Sequence, residues 1–146
     1  IAHVGSTAVP GLAAKPIIDM DIVMHQPADI ASIIAALAPL GYVHRGDLGI
    51  AGREAFDRPT DTFPHHLYLG LASAASIRNH LLLRDYLRQH PAAAQAYGQL
   101  KQQLAQQHPD DIDAYVAGKS QFIADILTQQ GMLAADVTDI QRQNRA

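Results

Sequence analysis

The stretch His3–Met24, HVGSTAVPGLAAKPIIDMDIVM, decides the fold. Its last eight residues, Ile17–Met24 (IIDMDIVM), alternate with the two-residue period of a strand. Ile18, Met20 and Ile22 fall on one face, while Asp19, Asp21 and Val23 fall on the other. Ile1 to Val4 reads as a shorter strand, and Gly5-Ser6-Thr7 as a turn whose hydroxyl suits the cap of a following helix. Pro10-Gly11 and Lys15-Pro16 keep any such helix short.

Chemistry enters with the two acids. Carboxylates at i and i+2 leave one strand on one face with Cα atoms ~6.5–7 Å apart, a spacing that admits a divalent cation between them. Two hard oxygen ligands, completed by water and a substrate phosphate, are the usual way of holding magnesium, which gives up its hydration reluctantly. A D-x-D standing alone is simply the wet side of a strand. Here it interrupts an apolar run and follows Gly5-Ser6, whose backbone N–H groups, hydroxyl and helix N-terminus favour an anionic phosphate.

Working outward, Asp29 is placed to cap a helix over about Ile30 to Leu40, stopped by Pro39 and Gly41. Tyr42 to Arg45, Glu54 to Arg58 and His65 to Leu71 read as strands separated by GDLGIAGR and RPTDTFP. Three helices follow: one from a cap at Ser73 or Ser76 to about Gln89, one from Pro91 to about Gln107, and one from a cap at Asp110 or Asp111 to just before Gly131. The tail 132–146 is weakly amphipathic and expected to fray. Short strands followed by long helices give an α+β fold, α/β-like in its first half, with a small mixed sheet and a helical C-terminal half in a single domain over 1–146.

At 146 residues, with 48% hydrophobic and 17% charged side chains, the chain can bury a core without help from disulfides or metals. It has no cysteine, which removes disulfide scaffolds, thiolate zinc sites and cysteine nucleophiles, and fits a cytoplasmic location. A net charge of -3 argues against broad nucleic-acid binding, and no apolar run approaches the ~20 residues of a membrane span. Opening at Ile1 on a strand-like stretch, it reads as a piece whose N-terminal element is missing.

Several side chains outside the acid pair suit a phosphate ligand. Lys15 stands at the entrance to the acid-bearing strand, and Arg53 lies in the GIAGR loop beside Glu54, where a bidentate phosphate contact competes with a loop salt bridge. Tyr97 with Lys101, and Tyr115 with Lys119, are i,i+4 pairs that present a ring and an ammonium on one helix face. Tyr115 can stack on a base while Lys119, rather than Lys101, meets the phosphates. Arg84 and Asp85 are adjacent, point in different directions, and each need a partner, one of them bracing the sheet.

Taken together, the Gly5-Ser6 turn and the Asp19/Asp21 pair resemble the hG[GS] … Dh[DE]h arrangement of nucleotidyltransferases of the polymerase-beta type. The longer string resembles the GrpB family, mostly uncharacterised bacterial proteins assigned to that superfamily. GDLGIAGREAF, HHLYL, HLLLRDYLRQHP, AYGQLKQQLA and AYVAGKSQFI continue the resemblance in order. It implies a nucleotidyltransferase-type sheet, one N-terminal helix before Ile1, and a link to coenzyme A metabolism, since members are found fused to dephospho-CoA kinase. It further implies a turn (Gly5, Ser6, Thr7) that holds nucleotide phosphates and acids (Asp19, Asp21) that hold magnesium or manganese.

Active members of that superfamily supply a third carboxylate from a later strand, but FPHHLYLGL contains no acid. His66, sharing a face with Tyr68 and opposed to His65, is the candidate for that position. An Asp, Asp, His set would favour manganese or zinc, imidazole being the softer ligand. The family's usual H-x-H has Tyr68 at its second position here. Three functions follow as expectations: a metal-dependent nucleotidyltransferase acting on an unknown small acceptor, a nucleotide- or phosphate-binding module without turnover, and a metal-dependent phosphoesterase in which His66 and His3 join the aspartates to activate a water.

Overall fold

The computed structural model describes residues 1–145; Ala146, the last residue of the expected tail, lies outside them. The strands are β1 (Ala2–Val4), β2 (Ile18–Met24), β3 (Val43–Gly46), β4 (Arg53–Asp57) and β5 (His65–Leu71), and the helices are α1 (Ile30–Leu37), α2 (Ala75–Gln89), α3 (Pro91–Gln107), α4 (Ile112–Gln129) and α5 (Ala134–Arg145). The expected α+β architecture holds, with a five-stranded mixed sheet ahead of a helical half.

The sheet runs β1-β2-β5-β4-β3. Only the central pair, β2 and β5, is parallel; the other neighbours are antiparallel. Because side chains directly across a ladder share a face, the register sorts the sheet into two surfaces. On one, Met20, Ile22 and Met24 lie beside Leu67, Leu69 and Leu71, with Phe56 opposite Leu67. Ile30, Ile33, Ile34 and Leu37 of α1 cover this surface and close one core. On the other, Asp19 faces His66, Asp21 faces Tyr68, and Ala55 of β4 continues the row.

The later helices cover this second surface. Gly70 lets α2 approach, since a Cβ there would stand 2.6 Å from Ile77 Cγ1 and 2.7 Å from the Gly52 carbonyl oxygen. Helices α2, α3 and α4 share a core of Val9, Leu87, Ala94, Tyr97 and Ile126. The segment after Gly131 also buries side chains: Met132, Val137 and Ile140 pack with Ala124 and Leu127 of α4. Val137 and Ile140, one turn apart on α5, with Met132 just ahead of it, hold an otherwise polar helix.

Local details depart from the sequence reading. Residues Ser6–Ala8 form a single 3-10 turn headed by Gly5, without a side-chain cap. Ser6 and Thr7 bond elsewhere instead. Helix α2 starts after Ala74, also uncapped, because Ser76 turns inward and is buried, and Asp29 offers no side-chain cap to α1. Asp111 does cap α4, accepting from Ala114 N–H at 2.9 Å. Arg53 begins β4 rather than lying in the preceding loop. Arg84 and Asp85 pair with each other at 2.8 Å, since the arginine stem is long enough to turn back, and Arg84 also donates to the His3 carbonyl of β1, which braces the sheet edge as expected.

Candidate functional site

The two aspartates share a face of β2 but not an environment. Asp21 is fully buried, and its Oδ2 accepts from His80 Nδ1 of α2 at 2.7 Å. Its other oxygen, Oδ1, is buried with no hydrogen-bond partner. Asp19 is partly open to solvent, and its Oδ1 accepts from His66 Nδ1 at 2.8 Å. Its Oδ2 lies against Gly5, where an added Cβ would come within 2.5 Å of it. Gly5 also has φ +74, a conformation that side chains other than glycine rarely adopt, so two independent constraints hold glycine there. The Gly-Ser bend and the first acid are therefore in direct contact.

Each carboxylate spends one oxygen on a histidine and keeps the other clear of protein donors among the described residues. A buried, unpartnered carboxylate oxygen is costly unless something meets it. Of the two carboxylates only Asp21, through Oδ1, is in that position, since Asp19 is partly open to solvent; carboxylate oxygens are the donor type that suits magnesium or manganese. No group of three or more His, Asp and Glu side chains forms a cage for a metal among the described residues. His66 Nδ1 is already occupied by Asp19, so any role for this ring as a ligand falls to Nε2.

Over these residues opens a cleft of about 300 Å³ that gathers much of the predicted set: Ser6, Thr7, Lys15, Asp19, His66, Tyr115 and Lys119, joined by Lys101. Lys101 is the lysine that reaches the bend: its Nζ donates to Ser6 Oγ at 2.7 Å and to the Ala13 carbonyl at 2.6 Å, and it lies over the Tyr97 ring. Burial, together with the Lys119 ammonium, lowers its pKa to about 8. Lys119 is lowered as well, by burial first and then by Lys15, with Asp19 acting in the opposite sense. Three ammonium groups thus converge where they repel one another, and an anion between them would relieve the repulsion. Lys119 lies over the Tyr115 ring, so this tyrosine serves its own helix neighbour first.

Arg53 stays outside the cleft. Its guanidinium sits 4.2 Å above the Tyr68 ring, where it pulls against the burial that raises the tyrosine pKa, and its Nε is buried without a partner. His3 faces away from the acids in register, opposite Met20, and its Nε2 pairs with Thr7 Oγ1 at 2.8 Å. It is therefore not gathered with the aspartates. His65 is structural, pairing with Tyr42 Oη and the Phe63 carbonyl.

His80 was missed in the sequence. Its signal is the spacing of His80, Leu83, Arg84 and Leu87, which places the ring on a helix face with two leucines. All four line a second cavity of about 350 Å³ that adjoins the first through Ser6, Val116 and Lys119.

A family model described as GrpB protein matches residues 1–129. The chain is 43% identical over 123 residues to UPF0157 protein YqkA of Bacillus subtilis, covering 84% of this chain and 36% of that protein. The crystal structure of conserved protein GrpB from Enterococcus faecalis superposes with a TM-score of 0.72 at 36% identity, covering 95% of this chain and 80% of that one. A more distant match, 28% identical, is a dephospho-CoA kinase of Mycolicibacterium paratuberculosis, where 86% of this chain aligns with 37% of the enzyme. The chain spans only about a third to a half of the length of the first curated relatives.

Proposed function

The chain belongs to the GrpB family, and on that premise we propose that its cleft binds the phosphates of a nucleoside triphosphate and transfers the nucleotidyl group to a small acceptor. The observation that carries this reading is that Lys15, Lys101 and Lys119 line one cleft together with Asp19 and with Ser6, to which Lys101 donates. Like charges held together in a cavity are costly until a counter-charge arrives. The triphosphate supplies it.

Magnesium or manganese, held by Asp19 and Asp21, would neutralise charge on the phosphates and polarise the reacting phosphorus. The chain's own residues do the rest by position. Lys101 and Ser6 hold a phosphate oxygen at the bend, with Thr7 beside them; Lys119 and Lys15 meet the remaining oxygens. His66, fixed through Nδ1 by Asp19, leaves Nε2 at the mouth of the cleft. The acceptor hydroxyl gives up its proton to water as its oxygen bonds to the α-phosphorus, the bond from that phosphorus to the bridging oxygen breaks, and pyrophosphate leaves, so no covalent nucleophile on the protein is required. The match to a dephospho-CoA kinase supports a link to nucleotide or coenzyme A chemistry.

A second reading, binding without turnover, is favoured by one observation: His66 and His80 already occupy an oxygen of each aspartate. Pyrophosphate release separates the two. The protein is incubated with nucleoside triphosphates, candidate acceptors and magnesium or manganese. The transfer reading expects pyrophosphate that Asp19→Ala abolishes. Saturable binding without pyrophosphate supports the binding module, and loss of phosphate without pyrophosphate points to the phosphoesterase. Absence of both binding and turnover removes all three.

A further inference from the structure

Ser6 carries a hydroxyl on the wall that the lysine cleft and the inner cavity share. It heads the 3-10 turn directly after β1, behind Gly5 with φ +74, and it is half-buried. Its Oγ lies 2.7 Å from Lys101 Nζ. A serine hydroxyl is a weak nucleophile until a base takes its proton, and a lysine serves as that base only as the free amine.

The surroundings of Lys101 favour the free amine. The residue is 8% exposed, with the Tyr97 ring of its own helix beside it and the Lys119 ammonium of α4 near enough to repel it. Burial first, and then Lys119, bring its pKa down to about 8. Lys15 adds positive charge to the cleft, Asp19 is negative there, and His66 and Tyr115 complete its titratable lining. Once neutral, Nζ gains a lone pair. One of its hydrogens then goes to the Ala13 carbonyl at 2.6 Å, and the lone pair accepts from the Ser6 hydroxyl. The carbonyl thereby holds the amine in the orientation that a general base needs.

The two sides of Ser6 suit the two halves of an ester. Val9, Leu83, Leu87, Val116 and Ile123 give the inner cavity, about 350 Å³, apolar walls fitted to a short acyl chain. The outer cleft, with Lys15 and Lys119, takes a polar alcohol half. Lys119 belongs to both, so positive charge stands by the wall where a carbonyl oxygen turns negative. We propose that Ser6 is the nucleophile and Lys101 the general base of a second activity, hydrolysis of short-chain carboxylic esters. Ser6 Oγ bonds to the acyl carbon as its proton passes to Lys101 Nζ. The bond from that carbon to the alcohol oxygen breaks, and Lys101 returns the proton to the leaving alcohol. Water then attacks the acyl-serine, giving its proton to the same amine, which passes it to Ser6 Oγ as the carboxylic acid leaves. The proposal goes beyond the phosphate reading and does not rest on it, since ester cleavage uses the free amine of Lys101 and phosphate binding uses its ammonium.

The test is hydrolysis of 4-nitrophenyl acetate and butyrate by the full chain, corrected for the buffer rate, with labelling by phenylmethylsulfonyl fluoride read by peptide mass spectrometry. The rate should rise about tenfold per pH unit and level off above about pH 8, where Lys101 is neutral. Ser6→Ala and Lys101→Met should each lower it at least about a hundredfold, the scale of general-base catalysis. The label should sit on Ser6, and this wild-type result with Ser6→Ala decides the matter should Lys101→Met fail to fold. Leu83→Phe, which narrows the inner cavity, should slow the butyrate about tenfold more than the acetate. A rate that survives Ser6→Ala, or a label on Lys101 in place of Ser6, overturns the nucleophile. A rate that keeps climbing well past pH 8 overturns Lys101 as the base, and equal slowing of both esters by Leu83→Phe overturns the acyl seat. No hydrolysis above the buffer rate and no label overturn the activity outright.

Discussion

The two faces of β2 and β5 are made from alternate residues of the same two strands, yet they are closed by different means. Against α1 the sheet presents Met20, Ile22, Met24, Leu67 and Leu69, and apolar area alone seals it. Against α2 it presents Asp19, Asp21, His66 and Tyr68, and the seal includes an aspartate with no solvent exposure paired to a helix histidine. The apolar face fixes which strands pair and in what register. With that register set, the period of two delivers His66 beside Asp19 without further instruction. The polar face can then hold charge because the other one supplies cohesion.

The largest expected effect breaks the charged face at its most buried point. His80→Leu should cost about 3–5 kcal/mol of stability, because it leaves Asp21 buried with neither oxygen partnered. Denaturant titration checks it, and replacing both members, Asp21→Leu with His80→Leu, should restore most of the loss. That restoration would show that the polar face can be made apolar like its counterpart, and that its charge serves the cleft. A loss below about 1 kcal/mol for His80→Leu would instead place water or a proton on Asp21.

Next in size is the matching change on the apolar face. Leu69→Ala, at a side chain with no exposure, should cost about 3 kcal/mol, the ordinary price of a buried leucine, while polyphosphate affinity in the folded protein is unchanged. A fall in both would mean that the faces are not independent.

The smallest effect is in pH. Lys101 titrates near 8 in the folded protein, with the Lys119 ammonium and the Tyr97 ring beside it, against an ordinary value of 10.5. Between those values the unfolded chain binds more protons, so stability should be flat below pH 8 and rise from there towards 10.5. Lys101→Met should reduce the rise to the part contributed by Lys119, which is lowered as well, as equilibrium unfolding at several pH values will show. Tripolyphosphate affinity should run the opposite way, weakening above about pH 8 as the ammonium loses its charge.

The strands and helices were legible because apolar period and turn residues encode them locally: β5 and α3 run as their sequences suggested, and the others shift by a residue or two, except that α1 gives way to a 3-10 turn after Leu37 and α5 forms where a fraying tail was expected. The acid pair and the Gly-Ser bend were legible for the same reason. What the sequence withheld depends on distance along the chain. His80 and Asp21 are 59 positions apart, and Lys101 and Ser6 are 95 apart, so their pairing follows from how the helices settle on the sheet. Lys101 and Lys119 occupy equivalent places in their Tyr-x-x-x-Lys pairs, and only packing tells that the first reaches the bend. Arg53 read as a loop residue because GIAGR is rich in glycine, but its stem continues a strand and its charge lies on Tyr68.

The missing side chain at Gly70 acts as a spacer of zero thickness between sheet and helix. Ile77 rests on that bare stretch of backbone, and His80 comes one turn later on the same helix, at the height where its imidazole meets Asp21. One methyl group at position 70 would lift the helix like a shim under a hinge. It would part a histidine from a carboxylate that it never touches, and so the geometry of the charged face is gauged from a residue with no functional group at all.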